Sequence, residues 1–472
     1  MADLRVRTLS EKTASLSPAS IDTLRSRLHG QLMLPSDSGY DAARTIWNAM
    51  FDRRPALIAR CRDTEEVVAA VDFARENDLL CSVRGGGHNI AGHAVCDDGM
   101  MIDLSLMNAV EVDGQARIAR VEAGALWADV DRATQAEGLA VPSGVVSSTG
   151  VAGLTLGGGF GRLSRKFGLT IDNLVAAEVV TPDGARLTAS EAEHPDLFWA
   201  LRGGGGNFGV VTAFHFRLHE VGPDVLFGPV VYRLEDARDV LRHYSEVAPK
   251  VPRECSIWAD LLTAPPLPFI PEKYHGTKVL FVAPFWLGDP ERGQEILAPL
   301  RNFGQPIGDG FGRMPYLDAQ QAVDALYAPG MQNYWKAHNF AKLEDAAIDA
   351  LVASAEALPT PQSDLLISHV GGAINDVDAT ATAYPHRHAN FVVTPGARWE
   401  PGRDNAAAIN WVRDCWNALA DTAAGGSYVN FISESEGRAQ DAFDRNHDRL
   451  VEVKKRYDPQ NRFRLNQNIK PH

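Results

Sequence analysis

From Pro55 onward, apolar and polar positions fall into short, regular blocks. Pro55–Cys61 is an apolar run of strand length. Asp63 stands where a helix N-cap is needed, Glu66 follows three residues later as in a capping box, and Val67, Val68, Val71 and Ala74 form the buried stripe. Leu79–Val83 is the next strand, so the pattern predicts a β-α-β unit that runs straight into Arg84-Gly-Gly-Gly-His88. Further strands are predicted at Met100–Leu104 and near Ala116–Glu122, with a helix over Leu126–Glu137. Leu174–Thr181 and Arg186–Ala189 flank Pro182-Asp183-Gly184, a hairpin signal, and Pro195–Leu201 suits a short helix. Val210–Leu218 alternates, with Phe214, Phe216 and Leu218 on one face, and reads as a half-buried strand.

The two ends of the chain differ from this middle. Residues 1–50 read as a polar leader carrying one amphipathic helix around Ser17–Leu28, with no apolar stretch of the signal-peptide kind. Beyond Gly222-Pro223, strand-like runs (Val279–Phe285, Leu365–Val370) mix with helical ones (Glu344–Ala357, Asn405–Ala420), which predicts a second α+β domain. A final helix over Ala439–Tyr457 is stopped by Asp458-Pro459.

Composition narrows the class. The chain has 472 residues, 45% hydrophobic and 22% charged, which gives a sizeable core and room for about three units, or two with one large. A net charge of −14 without a basic cluster makes nucleic acid an improbable partner. The longest apolar stretches fall far short of the ~20 residues that span a bilayer, so no membrane partner is expected and the cytoplasm is the expected compartment. The five cysteines are odd in number, widely spaced and without a CxxC, which excludes a disulfide scaffold or a cysteine-based zinc site. No H-E-x-x-H occurs, and no metal site is expected.

Glycine is the informative residue. Gly85–Gly87, Gly157–Gly161 and Gly203–Gly209 lie within one predicted domain, where backbone N–H groups can approach a phosphate closely. One such cluster is usually a tight turn, but three together point to a large phosphorylated cofactor. Gly204-x-Gly206-x-x-Gly209 fits the dinucleotide-binding expression by letter. It precedes a strand instead of opening a helix, so the match is false. No G-x-x-x-x-G-K-[ST] is present.

Larger motifs then carry a resemblance. Arg84-Gly-Gly-Gly-His88-Asn-Ile-Ala-Gly92, Met101-Ile-Asp103, Gly150-Val-Ala-Gly153-x-x-x-Gly-Gly-Gly-Phe-Gly161, Asp172-Asn173, Asp196-Leu-Phe-Trp-Ala-Leu-Arg-Gly203 and Asn207-Phe-Gly-Val-Val211 resemble the FAD domain of the vanillyl-alcohol oxidase/p-cresol methylhydroxylase superfamily. Tyr428-Val-Asn430 and the stretch from Tyr457 to Ile469 resemble the berberine-bridge-enzyme segment. The resemblance implies an α+β fold in which a two-subdomain FAD-binding domain (35–222) follows the leader (1–34). A substrate domain (223–424) with an antiparallel sheet over the flavin comes next, and a segment (425–472) returns to the FAD domain.

By the same resemblance, His88 is joined covalently to FAD; the attack needs an unprotonated ring nitrogen. The position of a second, cysteine link in many relatives is Val146 here, which implies a single bond. Further implied FAD contacts are Arg84, Gly85, Gly86, Gly87 and Asn89 at the pyrophosphate, and Ser147, Ser148 and Gly153 beside the flavin and diphosphate. Gly157, Gly158, Gly159 and Gly161 would lie along the ribityl chain, Val210 and Val211 at the adenine, and Tyr428, Asn430, Asn466 and Asn468 on the returning segment. Gly144 would leave oxygen an open approach. The plant relatives' base region follows Tyr384-Pro-His-Arg387, yet Val392–Thr394 holds no carboxylate. The catalytic candidates are therefore Tyr334, Lys336, His338, His369 and Tyr428, with Tyr384 and Asp260 behind them, each as readily a hydrogen-bonded core residue.

The resemblance implies an oxidase that moves a hydride from a small organic alcohol or amine to the flavin. Molecular oxygen would be the acceptor and hydrogen peroxide a product, in a monomer or homodimer. An oxygenating enzyme of secondary metabolism and a non-catalytic flavin-binding protein are the alternatives.

Overall fold

The computed structural model describes residues 3–29, 31–433 and 439–472. In the first unit, strands Leu57–Arg60 and Cys81–Arg84 both run parallel to Met100–Asp103, and Leu32–Met33 pairs antiparallel with Leu57–Arg60. The crossover is the helix Thr64–Glu76, where the Asp63 side chain accepts the Glu66 N–H at 2.9 Å. The returning arm of the capping box is displaced by one residue, because Glu66 accepts the N–H of Arg62, not of Asp63. A five-stranded antiparallel sheet follows, in the order Arg186–Ser190, Leu174–Val180, Val210–Arg217, Ile118–Glu122, Val110–Asp113. Val210–Arg217 lies in the middle of that sheet, so it is buried on both faces, and only His215 and Arg217 are not fully covered. Its alternation marks which face each aromatic takes, without marking a wet side.

The stretch expected as a polar leader is part of this unit. Leu4–Arg7 and Thr13–Leu16 form a hairpin, and the helix Pro18–Arg27 packs on Thr64–Glu76. Ile21, Leu24 and Leu28 recur at helical spacing and enter the first core beside Leu16 and Leu32.

The second unit is built on a ten-stranded sheet whose central run is Lys278–Trp286, Cys255–Thr263, Asp364–His369, Phe391–Trp399 and Gln332–Trp335, all antiparallel. Helices Ala237–Val247, Asp345–Glu356 and Ala406–Leu419 cover one face and enclose a second core. The opposite face looks toward the glycine loops of the first unit, across a smaller apolar cluster that includes Phe160, Trp258, Tyr384, Val392 and Tyr428.

The chain then returns. Ile432, Phe443, Leu450, Val453, Phe463 and Ile469 rejoin the first core. The helix expected over 439–457 is two pieces, Ala439–Phe443 and His447–Tyr457, separated at Asp444, whose φ of 43° is left-handed and ends the first. In the second piece Lys454 is fully buried and acts as a buckle. Its ammonium donates to the Asn207 carbonyl at 2.6 Å, the Asp458 carboxylate at 2.7 Å and the Phe463 carbonyl at 3.0 Å. Among the described residues all five cysteines are unpaired and buried, and no helix is long and apolar enough to cross a membrane.

Candidate functional site

Between the glycine loops and the uncovered face of the large sheet lies a cavity of about 280 Å³. Three parts of the protein wall it: the loops around residues 85–89, 144–154 and 205–211, the sheet, and the returning segment through residues 428–431 and 463–467. Gly85, Gly86, Gly87, His88, Asn89, Gly153, Val210, Val211, Tyr428, Asn430 and Asn466 line it, so the structure brings these candidates together.

The first two loops touch backbone to backbone. A Cβ on Gly86 would stand 2.5 Å from the Gly150 Cα, so neither position admits a side chain. The N–H groups of Gly85, Gly86 and Gly87 find no acceptor among the described residues, which leaves a run of donors at the cavity edge. At Gly153 and Gly206 an added Cβ meets nothing within 4 Å, so both face open space. His88 stacks on Trp47 with ring centroids 4.3 Å apart, and its Nε2 is buried without a partner. Burial lowers its pKa to about 4, which keeps the ring unprotonated at neutral pH. A donor run, two positions open for a bulky group and an orphaned imidazole nitrogen fit a large phosphorylated cofactor. Val146, which also lines the cavity, offers no second nucleophile.

Other implied contacts lie elsewhere. The Arg84 guanidinium donates to the Ala43 carbonyl, away from the cavity. Ser147 gives its N–H and its hydroxyl to Asp324, and Ser148 is not on the wall. The run 157–161 is glycine for packing: side chains at Gly157 and Gly158 would strike Asn430 and Tyr384, one at Gly159 would strike Thr170, and one at Gly161 the Ser143 carbonyl. At Gly144 the obstacle would be Leu154. Asn468 is off the wall, and its Oδ1 is buried without a partner.

Most catalytic candidates fall on the wrong side of the sheet. Side chains alternate across a strand, so register decides which residues see the cavity. Gln332–Trp335 pairs with Phe391–Trp399 so that Tyr334 joins the helix-side core and Trp335 reaches the cavity. His338 points to the helix side, donating from its Nε2 to the Trp416 carbonyl at 2.9 Å and stacked on the Trp416 ring. The Lys336 ammonium lies 4.3 Å from that same ring. His369 is buried against Arg165 at 2.9 Å and accepts the Ile257 N–H at its Nδ1, and burial holds it well below the ordinary histidine range. Tyr384 packs over Gly203 and Gly158 beside Arg387, which makes a bidentate ion pair with Asp172, so the Tyr-Pro-His-Arg motif serves as a brace. Tyr428 alone of the five faces the cavity. Its oxygen accepts the Gly159 N–H at 3.0 Å and the Asn430 amide at 2.9 Å, and burial raises its pKa to about 12.

A group absent from the sequence-based candidates occupies the sheet side. Asp364 Oδ2 accepts the Tyr327 hydroxyl at 2.9 Å and the Arg398 guanidinium at 2.8 Å, and all three residues line the cavity. Arg398 lies 4.2 Å from the Tyr327 ring, held there by the carboxylate. Gly396, opposite Asp364, is small because a Cβ would come within 2.8 Å of Asp364 Oδ1. Asp260, on the next strand and off the wall, is buried. Desolvation and then the Asp364 charge push its carboxyl far above the usual range, so it stays protonated. A phenol hydrogen-bonded to a fixed carboxylate is a proton-accepting relay open to the cavity. The usable signal was a charged residue inside an otherwise apolar strand, Arg398 within Phe391–Trp399 and Asp364 beginning Asp364–His369. Among the described residues no cluster of His, Cys, Asp or Glu could hold a metal ion.

Comparison with known proteins agrees with the cavity. The chain matches the family described as FAD binding domain over residues 55–190 and the family described as Berberine and berberine like over residues 427–470. It is 31% identical over 430 residues to an FAD-linked oxidoreductase of Dictyostelium discoideum, covering 90% of this chain and 91% of the relative. It is also 31% identical over 464 residues to (R)-6-hydroxynicotine oxidase of Paenarthrobacter nicotinovorans, covering 94% and 97%. The crystal structure of 6-hydroxy-D-nicotine oxidase from Arthrobacter nicotinovorans superposes with a TM-score of 0.84 at 29% identity, covering 93% of this chain and 98% of that one.

Proposed function

Because the chain belongs to the berberine-bridge-like branch of the FAD-linked oxidoreductases, we propose that it is an oxidase of a small organic alcohol or amine, with FAD joined once, through His88, and oxygen reduced to hydrogen peroxide. The observation that carries the reading is the Tyr327–Asp364–Arg398 group on the cavity wall. The bound flavin supplies the hydride acceptor and the route from substrate to oxygen.

The residues of the chain supply the rest. Tyr327 takes the substrate proton as its own passes to Asp364, which Arg398 holds in place by a 2.8 Å hydrogen bond. Asp260, protonated behind them, adds no second negative charge. Phe160, Trp335, Tyr428 and Phe431 line the cavity and touch one another, with centroid separations of 4.9 to 5.9 Å. This apolar wall suits a compact, largely apolar substrate, since each buried hydroxyl of an extended saccharide would need a partner. The carboxylate missing from residues 392–394 comes from the neighbouring strand, which favours a catalytic reading over a purely flavin-binding one.

Two measurements test the proposal. Acid-precipitated protein should retain its yellow colour, and His88→Ala should release it; full release from the wild type refutes the covalent link. A panel of alcohols, amines and sugars, mixed anaerobically with the enzyme, should include a donor that bleaches the flavin. Re-admitted oxygen should then appear as peroxide, and its appearance in the organic product would show an oxygenating enzyme instead.

A further inference from the structure

One short segment of the second unit touches the loop 143–147, the Trp47 ring beside His88 and the sheet side of the cavity. Helix Tyr316–Gln321 and the turn Asp324–Tyr327 carry Gln320, Asp324 and Tyr327, spaced as the successive contacts of one helical face. This face is polar, and it is turned toward the other unit. Gln320 donates to the Ser143 hydroxyl at 2.8 Å and to the Gly144 carbonyl at 3.1 Å. Asp324 takes the Ser147 N–H at 2.9 Å with one oxygen and the Ser147 hydroxyl with the other. The Tyr327 carbonyl accepts the Trp47 indole N–H at 3.0 Å, and that indole is stacked on His88. The Tyr327 hydroxyl reaches Asp364.

Building on the oxidase reading, we propose that Asp324 is a positioning residue that fixes the cofactor-flanking loop 143–149 in register with Tyr327 and Asp364. Ser147 sits between Val146 and the Thr149–Gly150 pair, all of which line the cavity, yet both polar groups of Ser147 turn away from it to one carboxylate. That carboxylate stands three residues before Tyr327 on the same turn. The loop wall and the proton acceptor belong to different units, and these hydrogen bonds tie the two directly, beside the apolar cluster that packs the units together. Gln320 makes the neighbouring tie and is itself held by the buried Arg162. A displacement of about 1 Å between reacting groups costs up to roughly 100-fold in rate.

The test uses the flavin-loaded full chain and three variants. Asp324→Ala removes both ties. Asp324→Asn keeps a matching shape, with its oxygen for the Ser147 N–H and its amide for the hydroxyl. Ser147→Ala removes one tie. Asp324→Ala should slow anaerobic flavin reduction at saturating donor by about 10- to 100-fold, with the donor dissociation constant changed less than about threefold. It should also alter the visible circular dichroism of the bound flavin. Asp324→Asn should recover most of both effects, and Ser147→Ala should fall between.

Wild-type reduction by Asp324→Ala overturns the proposal. So does a slow Asp324→Ala that Asp324→Asn fails to rescue, or one whose flavin dichroism is unchanged. If no donor reduces the wild-type flavin, the oxidase reading fails on its own. The positioning role is then decided by the dichroism of Asp324→Ala and its recovery in Asp324→Asn.

Discussion

Replacing Lys454 by methionine removes an ammonium with no solvent contact while leaving most of the stem volume in place. Three partners lose their donor: the Asn207 and Phe463 carbonyls and Asp458 Oδ2. Asp458 keeps the N–H groups of Arg462 and Phe463, each at 2.9 Å, but as a buried carboxylate it loses the one cation that pairs with it among the described residues. Burial outweighs the pairing at Lys454, whose pKa is lowered, so the intact pair contributes little net stability. The loss on substitution comes from the stranded carboxylate, a change of about 3–5 kcal/mol. At roughly 2–4 °C per kcal/mol for a unit of this size, the first unit should unfold about 10 °C earlier. Thermal scans followed by tryptophan fluorescence read this directly. Asp458→Asn should cost a similar amount from the other side, and the double variant should lose less than the two single losses added. A melting point within about 2 °C of wild type in Lys454→Met, or strict additivity in the double variant, would refute the buckle.

Asp364→Asn should slow anaerobic flavin reduction by about 100- to 10,000-fold, the usual weight of a positioned base, with flavin content unchanged by absorbance. Gly153→Val places its side chain where a Cβ meets nothing, so the protein should fold with a normal circular dichroism spectrum yet take up far less flavin, as the ratio of visible to ultraviolet absorbance will show. The pKa values of His88, His93 and His386 are lowered by burial from 6.5 to about 4. Between those values the unfolded chain binds more protons than the folded one. Stability should therefore be intact above pH 6.5 and fall as the pH drops toward 4, and melting temperatures of cofactor-free protein across that window will check it. A flat profile would mean these rings are protonated in the fold.

How much of this was legible follows from what each signal measures. The hairpin around Pro182-Asp183-Gly184 and the helix capped by Asp63 are local, and the sequence shows both. The glycine stretches were legible as a group, but their division of labour was not: Gly86 and Gly150 make room for each other, while Gly157 and Gly158 make room for Asn430 and Tyr384 from far along the chain. Tyr334 and His369 fail by strand parity, because a one-residue difference sends a side chain to the helices instead of the cavity, and no pattern inside an all-buried strand reveals which face is which. The relay eluded motif reading for a similar reason. Tyr327, Asp364 and Arg398 come from a turn and two strands, and only the pairing of those strands brings them together.

The returning segment sets a timetable for making the protein. Tyr428, Asn430 and residues 463–467 complete a cavity whose opposite wall, around His88, leaves the ribosome much earlier. At about 5–20 residues per second, the glycine loops wait on the order of tens of seconds for their third wall. Once the sheet strand Phe391–Trp399 has also emerged, the sheet face and the loops still lack that third wall, with Phe160, Trp335 and Leu366 on the cavity side. A complete cavity therefore exists only after the last helix has closed over Asn207, so a chain truncated before residue 428 should not retain flavin.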